Sequence, residues 1–205
     1  MTDTPIALED RDSDGAKLFS PSAGRNKAVI AEALAARLPD AASVLEIGSG
    51  TGEHGATLGE RRPDVVWQYS DPDAASRASQ AAWARAGWPE PLALDVQVGD
   101  WWAGLPRVTA LFSANMIHIA PIEAAIGLAE GAQHLTDRVI LYGPFLLGEA
   151  SAPSNREFDL SLRRRDPRWG VRELDIVKHI FGERSFNLSE SLEMPRNNRL
   201  LEFGR

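Results

Sequence analysis

The run Val44-Leu45-Glu46-Ile47-Gly48-Ser49-Gly50-Thr51-Gly52-Glu53-His54 constrains this chain more than any other. A short apolar segment carries an acid, glycine then takes every second position, and a helical pattern begins. That order predicts a buried strand, a tight turn and a helix start. Glycine reaches positive φ at little steric cost and leaves no Cβ on the contact surface, so the turn suits a closely approaching ligand. Glu46 puts a carboxylate beside the turn, which disfavours a pyrophosphate and favours a cationic or hydroxyl-rich ligand.

The segments around this turn supply a matching framework. Val29, Ile30, Ala33, Leu34 and Leu38 recur at helical spacing over 22–38, and Pro39 ends the pattern. The spacing then predicts strand 43–47, helix 53–61, strand 65–70 and an alanine-rich helix 74–86 closed by Gly87. A short strand over 92–94, strand 108–114, helix 122–134 and strand 138–143 follow. Strands separated by single helices require crossovers and a parallel sheet covered on both faces. The last two strand-like runs, 186–193 and 200–203, are separated by only six residues, which is too short for a helical crossover. They are expected to form an antiparallel hairpin. The segment 144–170 reads as an insertion with an amphipathic helix over 154–165. The expected architecture is α/β and Rossmann-like, a single domain over 21–205 preceded by a flexible arm over 1–20 that is rich in Asp, Ser and Thr.

Composition narrows the chemistry. Among 205 residues there is no cysteine, so disulfides, cysteine-ligated metals and thiol nucleophiles are excluded, and no metal site is expected. The net charge of -7 argues against nucleic acid as a partner. The basic run Arg163-Arg164-Arg165 lies beside Glu157, Asp159 and Asp166 and reads as a solvated helix face. No apolar run reaches the roughly 18 residues of a membrane span, and the acid-rich start is no secretory leader. A cytoplasmic protein without membrane contact, monomeric or homodimeric, is the expectation.

In a parallel α/β sheet, ligands bind beyond the carboxyl ends of the strands. The residues at those ends are the glycine turn, Asp71, Asp95, the loop Asn115-Met116-Ile117-His118 and the segment Tyr142-Gly143-Pro144-Phe145. Asp71 lies about 20 residues past the turn, where a carboxylate reaches a ribose diol or else caps the next helix. Asp73 is read first as that cap. Asp95 either accepts from an adenine amino group or is a loop aspartate without a ligand. A dinucleotide fingerprint needs a third glycine three positions after the second; Glu53 stands there instead, which argues against NAD and FAD.

These residues resemble the class I S-adenosylmethionine-dependent methyltransferases: Glu46-x-Gly48-x-Gly50-x-Gly52, Asp71 after the second strand, and the terminal hairpin. More narrowly, the chain is similar to the methyltransferase-like 26 family. The similar segments include Ser22-Ala23-Gly24-Arg25-Asn26-Lys27, Ser70-Asp71, Asn115-Met116-Ile117-His118-Ile119, Tyr142-Gly143-Pro144-Phe145, Ser154-Asn155, Phe158-Asp159, Trp169-Gly170 and Met194-Pro195. Tyr69 departs from the pattern, where a smaller residue or proline is expected. The resemblance implies a seven-stranded, mostly parallel sheet with an antiparallel C-terminal strand, and S-adenosyl-L-methionine as cofactor. The implied cofactor contacts are Glu46, Gly48, Ser49, Gly50, Gly52, Asp71, Asp95, Asn115 and Met116.

His118, at a strand end, is the candidate general base, with loop packing as its other role. His54 is expected to be structural or to contact the cofactor, and Trp101 and Trp102 to pack. Arg25, Asn26, Tyr142, Phe145, Asn155, Phe158 and Trp169 are candidate contacts to a small-molecule acceptor under a lid-like 144–170 insertion. Two other functions fit the same turn: a non-catalytic cofactor-binding scaffold, and an enzyme that uses the sulfonium for a reaction other than methylation.

Overall fold

The computed structural model describes residues 10–205, and the chain divides into two compact units, Met1–Leu94 and Asp95–Arg205. The boundary falls inside the span that the sequence presents as one domain. The architecture is α/β, with a mostly parallel central sheet and an antiparallel C-terminal strand.

The first unit contains a hairpin of β1 (Asp12–Asp14) and β2 (Lys17–Phe19), then α1 (Pro21–Ala35) and β3 (Ser43–Glu46). It continues with α2 (Glu53–Arg61), β4 (Val66–Gln68) and α3 (Ala74–Trp83). β3 and β4 pair in parallel, with Val44 opposite Trp67 and Leu45 opposite Gln68. Local chemistry sets the helix starts. The Ser20 side chain accepts from the Ala23 N–H ahead of Pro21, and Asp73 accepts from the Ser76 N–H.

Residues 1–9 of the expected arm lie outside the described residues, whereas 12–19 form the hairpin and lie against α3. The Leu18 N–H donates to Ser79 Oγ at 2.8 Å, Trp83 Nε1–H donates to the Leu18 carbonyl at 3.2 Å, and Phe19 meets the Trp83 ring edge-on. Strands of three residues, one of them Asp12-Ser13-Asp14, show no apolar alternation from which sequence could find them.

The expected strand at 92–94 shrinks to a single parallel bridge between Ser70 and Leu92. Pro89 and Pro91 withhold donors just before it, which limits the ladder to the bonds around Leu92. The described residues therefore hold six such strands rather than seven, β3 and β4 in the first unit and four in the second.

The second unit contains β5 (Ala110–Ala114), a short 3₁₀ turn (Met116–His118), α4 (Ile122–Leu135), β6 (Arg138–Pro144) and α5 (Pro153–Arg165). α6 (Leu174–Gly182), β7 (Asn187–Met194) and β8 (Asn198–Gly204) complete it. β5 and β6 are parallel, while β8 lies between β6 and β7 and runs against both. The β7–β8 hairpin agrees with its short connection, a turn in which Arg196 and Asn197 take positive φ. Trp101 packs as expected: its ring lies against Gly131 of α4 and its Nε1–H donates to the Gly127 carbonyl at 2.9 Å.

Candidate functional site

Beyond the end of β3, Gly48, Gly50 and Gly52 take φ of 68°, 55° and 92°. A side chain in that left-handed region costs roughly 1–2 kcal/mol per residue, so the three glycines are required by backbone shape. At Gly52 space is tight as well, because a Cβ would stand 3.1 Å from the Gln80 Cα and α3 would have to give by a few tenths of an ångström. Among the described residues, a Cβ on Gly50 would come within 4 Å only of Arg11 Nη2, at 3.9 Å, so none of them covers that face of the turn closely.

The turn is clamped from below. Ser49 N–H donates to the Ser70 carbonyl, Tyr69 Oη donates to the Gly52 carbonyl, and Ser79 Oγ donates to the Thr51 carbonyl. Gln80 Nε2 donates to the Gly50 carbonyl, while Gln80 Oε1 is buried with no hydrogen-bond partner. Tyr69, the departure from the family pattern, is thus a brace: burial raises its pKa, and the phenol stays protonated to hold the turn.

Glu46 lies beneath the turn rather than on its ligand face. It is 1% exposed, accepts from Trp67 Nε1–H at 3.0 Å, and has His54 Nδ1 at 3.5 Å from its other oxygen. His54 Nε2 lies 3.0 Å from Asn26 Oδ1, so Glu46, His54 and Asn26 form a chain from β3 to α1. His54 is accordingly structural. Glu53, which excludes the dinucleotide fingerprint, is held by Lys27 at 2.8 Å, by Thr51 Oγ1 and by the Ser20 N–H. Arg25 is exposed on α1.

Asp71 faces the open side. Its Oδ2 accepts from the Gly50 N–H at 2.9 Å and its Oδ1 from the Asp73 N–H at 2.9 Å. Burial raises its pKa, and the two backbone donors and the nearby Arg11 charge oppose the rise. A carboxylate has about four lone-pair sites, so acceptor capacity remains for a pair of hydroxyls. An open left-handed glycine cradle next to this carboxylate fits a nucleoside with an aliphatic tail. Asp73 caps α3, as expected.

In the second unit, Asn115 takes φ of 62° at the end of β5, and its N–H donates to the Tyr142 carbonyl. Met116 opens the short 3₁₀ turn that ends at His118. His118 is fully buried, with Phe145 edge-on at 5.1 Å. Its Nδ1 accepts from the Arg172 N–H at 3.2 Å, which puts the ring proton on Nε2, and that buried atom has no partner among the described residues. Desolvation first, then the Arg172 charge, lowers its pKa to about 3. Such a group is neutral near pH 7, a poor proton acceptor, and presents N–H rather than a lone pair at its unpartnered end. Of the two roles read for His118 from the sequence, these surroundings favour loop packing over proton abstraction. Gly143 is required beside it, since a Cβ there would stand 2.7 Å from His118 Nε2.

Several expected acceptor contacts also have structural partners. Asn155 Nδ2 donates to the Phe145 and Asn197 carbonyls, and Tyr142 and Phe145 are buried. Trp169 is half-buried and Phe158 is 38% exposed, so both retain surface for a ligand. Asp95 Oδ1 accepts from the Gln97 N–H, as a loop-capping aspartate does. Arg172, which sequence reasoning missed, ties the His118 loop to the segment before α6 by donating to the Ile117 and Ala120 carbonyls. An arginine between Val171 and Glu173 offers no pattern from which that role can be read.

The fold is that of the class I methyltransferases. The chain matches an O-methyltransferase family protein from Burkholderia thailandensis with a TM-score of 0.75 at 14% identity, over 90% of this chain and 56% of that one. It matches the pyocyanin biosynthetic protein PhzM with a TM-score of 0.71 at 15% identity, over 90% of this chain and 59% of that one. It also matches CalO1, a methyltransferase in calicheamicin biosynthesis in its SAH-bound form, with a TM-score of 0.71 at 14% identity, over 89% and 54%. The chain thus spans little more than half the length of each of these proteins. Through residues 17–205 it belongs to DUF938, a family described as a protein of unknown function.

Proposed function

We propose that this protein binds S-adenosyl-L-methionine and transfers its methyl group to a small-molecule acceptor. The observation that carries this is the open glycine turn after β3, whose Gly50 N–H is held by the buried Asp71 carboxylate. The backbone of 48–52 takes the methionine part, and the free lone pairs of Asp71 take the ribose hydroxyls. The anionic Glu46 beneath the turn favours the positive cofactor without touching it. Asp95 on the adenine, and Asn115 and Met116 towards the sulfonium, are roles implied by the family resemblance, as is the narrower likeness to methyltransferase-like 26.

The bound cofactor supplies an activated methyl carbon, so the protein's task is to align the acceptor and exclude water. His118 does not serve as a base at neutral pH, so the acceptor that fits is one with a lone pair free there, such as a weakly basic amine or an acidic thiol, whose proton is released to solvent. In the second unit Phe158 and Trp169, which keep exposed surface, are its candidate contacts, while Tyr142, Phe145 and Asn155 hold the surrounding loops; Arg25 remains a contact read from the sequence alone.

Incubation with methyl-labelled cofactor and fractionated metabolites tests the transfer. Label is expected in a small molecule, with Asp71→Ala lowering the amount transferred at limiting cofactor. Tight cofactor binding with no label transferred to any fraction would leave the scaffold function instead.

A further inference from the structure

The N-terminal hairpin brings one guanidinium over the glycine turn. Arg11 Nη1 donates to Ser76 Oγ at 3.0 Å, and Nη2 stands 3.9 Å from the position that a Gly50 Cβ would take. The hairpin that follows Arg11 is fixed to α3 through Ser79 and Trp83, and Ser79 in turn donates to the Thr51 carbonyl. Arg11 is therefore placed relative to the turn by a short, continuous chain of hydrogen bonds.

The neighbouring charges have other duties. Lys27 is paired with Glu53, His54 faces Glu46, and Arg77 Nη1 donates to the Asp71 and Pro72 carbonyls. Arg11 forms an ion pair with none of the described carboxylates, although its charge reaches Asp71 and Asp73. Of its five donors only the one on Ser76 is used among the described residues. A planar fork with spare donors, beside a side-chain-free turn and two aspartates, matches one group above others. That group is a ligand carboxylate, which Asp71 and Asp73 would repel without a cation between.

We infer that Arg11 binds the α-carboxylate of the cofactor's amino acid end, making the N-terminal hairpin part of the cofactor site. This rests on the cofactor assignment proposed above. It selects cofactors that retain the carboxylate over those that have lost it.

The test compares S-adenosylmethionine with its decarboxylated form, which keeps the nucleoside, the sulfonium and the amine, by calorimetric titration of wild type, Arg11→Ala and Arg11→Lys. A charged hydrogen bond of this kind is worth on the order of a 10- to 100-fold change in affinity. Arg11→Ala is expected to weaken the carboxylate-bearing cofactor by that factor and to leave the decarboxylated one unchanged, with Arg11→Lys between. Equal losses for both ligands, or no loss for either, overturn the inference while cofactor binding stands. Wild type that binds neither ligand defeats the cofactor assignment itself. Matching melting temperatures of the three proteins confirm that the hairpin is still in place.

Discussion

Asp71 holds a turn with the same two oxygens that the proposed function gives to the ribose, so removing it should act on both. Asp71→Ala frees the Gly50 and Asp73 N–H groups and is expected to lower affinity for the demethylated cofactor about 10- to 100-fold, from one or two charge-assisted hydrogen bonds. Titration of the variant checks this, and unchanged affinity would remove the ribose assignment. His118 carries a different prediction, about stability. Its pKa is 6.5 when unperturbed and about 3 when folded, so the unfolded chain takes up a proton that the folded one refuses. Its contribution is complete above pH 6.5 and is lost as pH falls towards 3. Between pH 7 and 5 that amounts to about 2 kcal/mol. Denaturant titrations at both values should show this loss in wild type and a smaller one in His118→Gln; parallel losses would contradict it.

Helices show where glycine is needed and where it is only tolerated. A Cβ on Gly131 of α4 would stand 2.0 Å from the Trp101 ring, whereas one on Gly24 of α1 would meet nothing within 4 Å. Gly131→Ala should therefore destabilise by about 1–3 kcal/mol through overpacking, and Gly24→Ala should stabilise by about 0.5–1 kcal/mol. Thermal melts of the two variants shifting in the same direction would refute this packing account. Elements with strong periodicity were readable from sequence: α2, α4 and β6 fall within a residue or so of expectation. The apolar spacing of Val177, Ile180 and Phe181 was available to find α6, yet it spans too few residues to stand out. The polar hairpin β1–β2 had no such signal, because its order comes from Trp83 and Ser79, some sixty residues away. In the candidate site the glycine turn was readable because backbone shape dictates residue type. The sequence left His118 between base and packing residue because burial and the Arg172 neighbour, which set its pKa, are tertiary facts.

As a whole, the chain joins a class I methyltransferase fold to a family without a described function. No described helix is long and apolar enough to cross a membrane. Structural likeness at 14–15% identity establishes the frame, and the proposed site rests on particular residues: three left-handed glycines, the Asp71 carboxylate bonded to the turn and the Arg11 guanidinium beside it. The most direct test of that site is calorimetric titration of the intact protein with S-adenosylmethionine and its demethylated product. One-to-one binding of both is predicted, with affinity lost in Asp71→Ala. Absence of heat and of any melting shift at millimolar ligand would contradict the account.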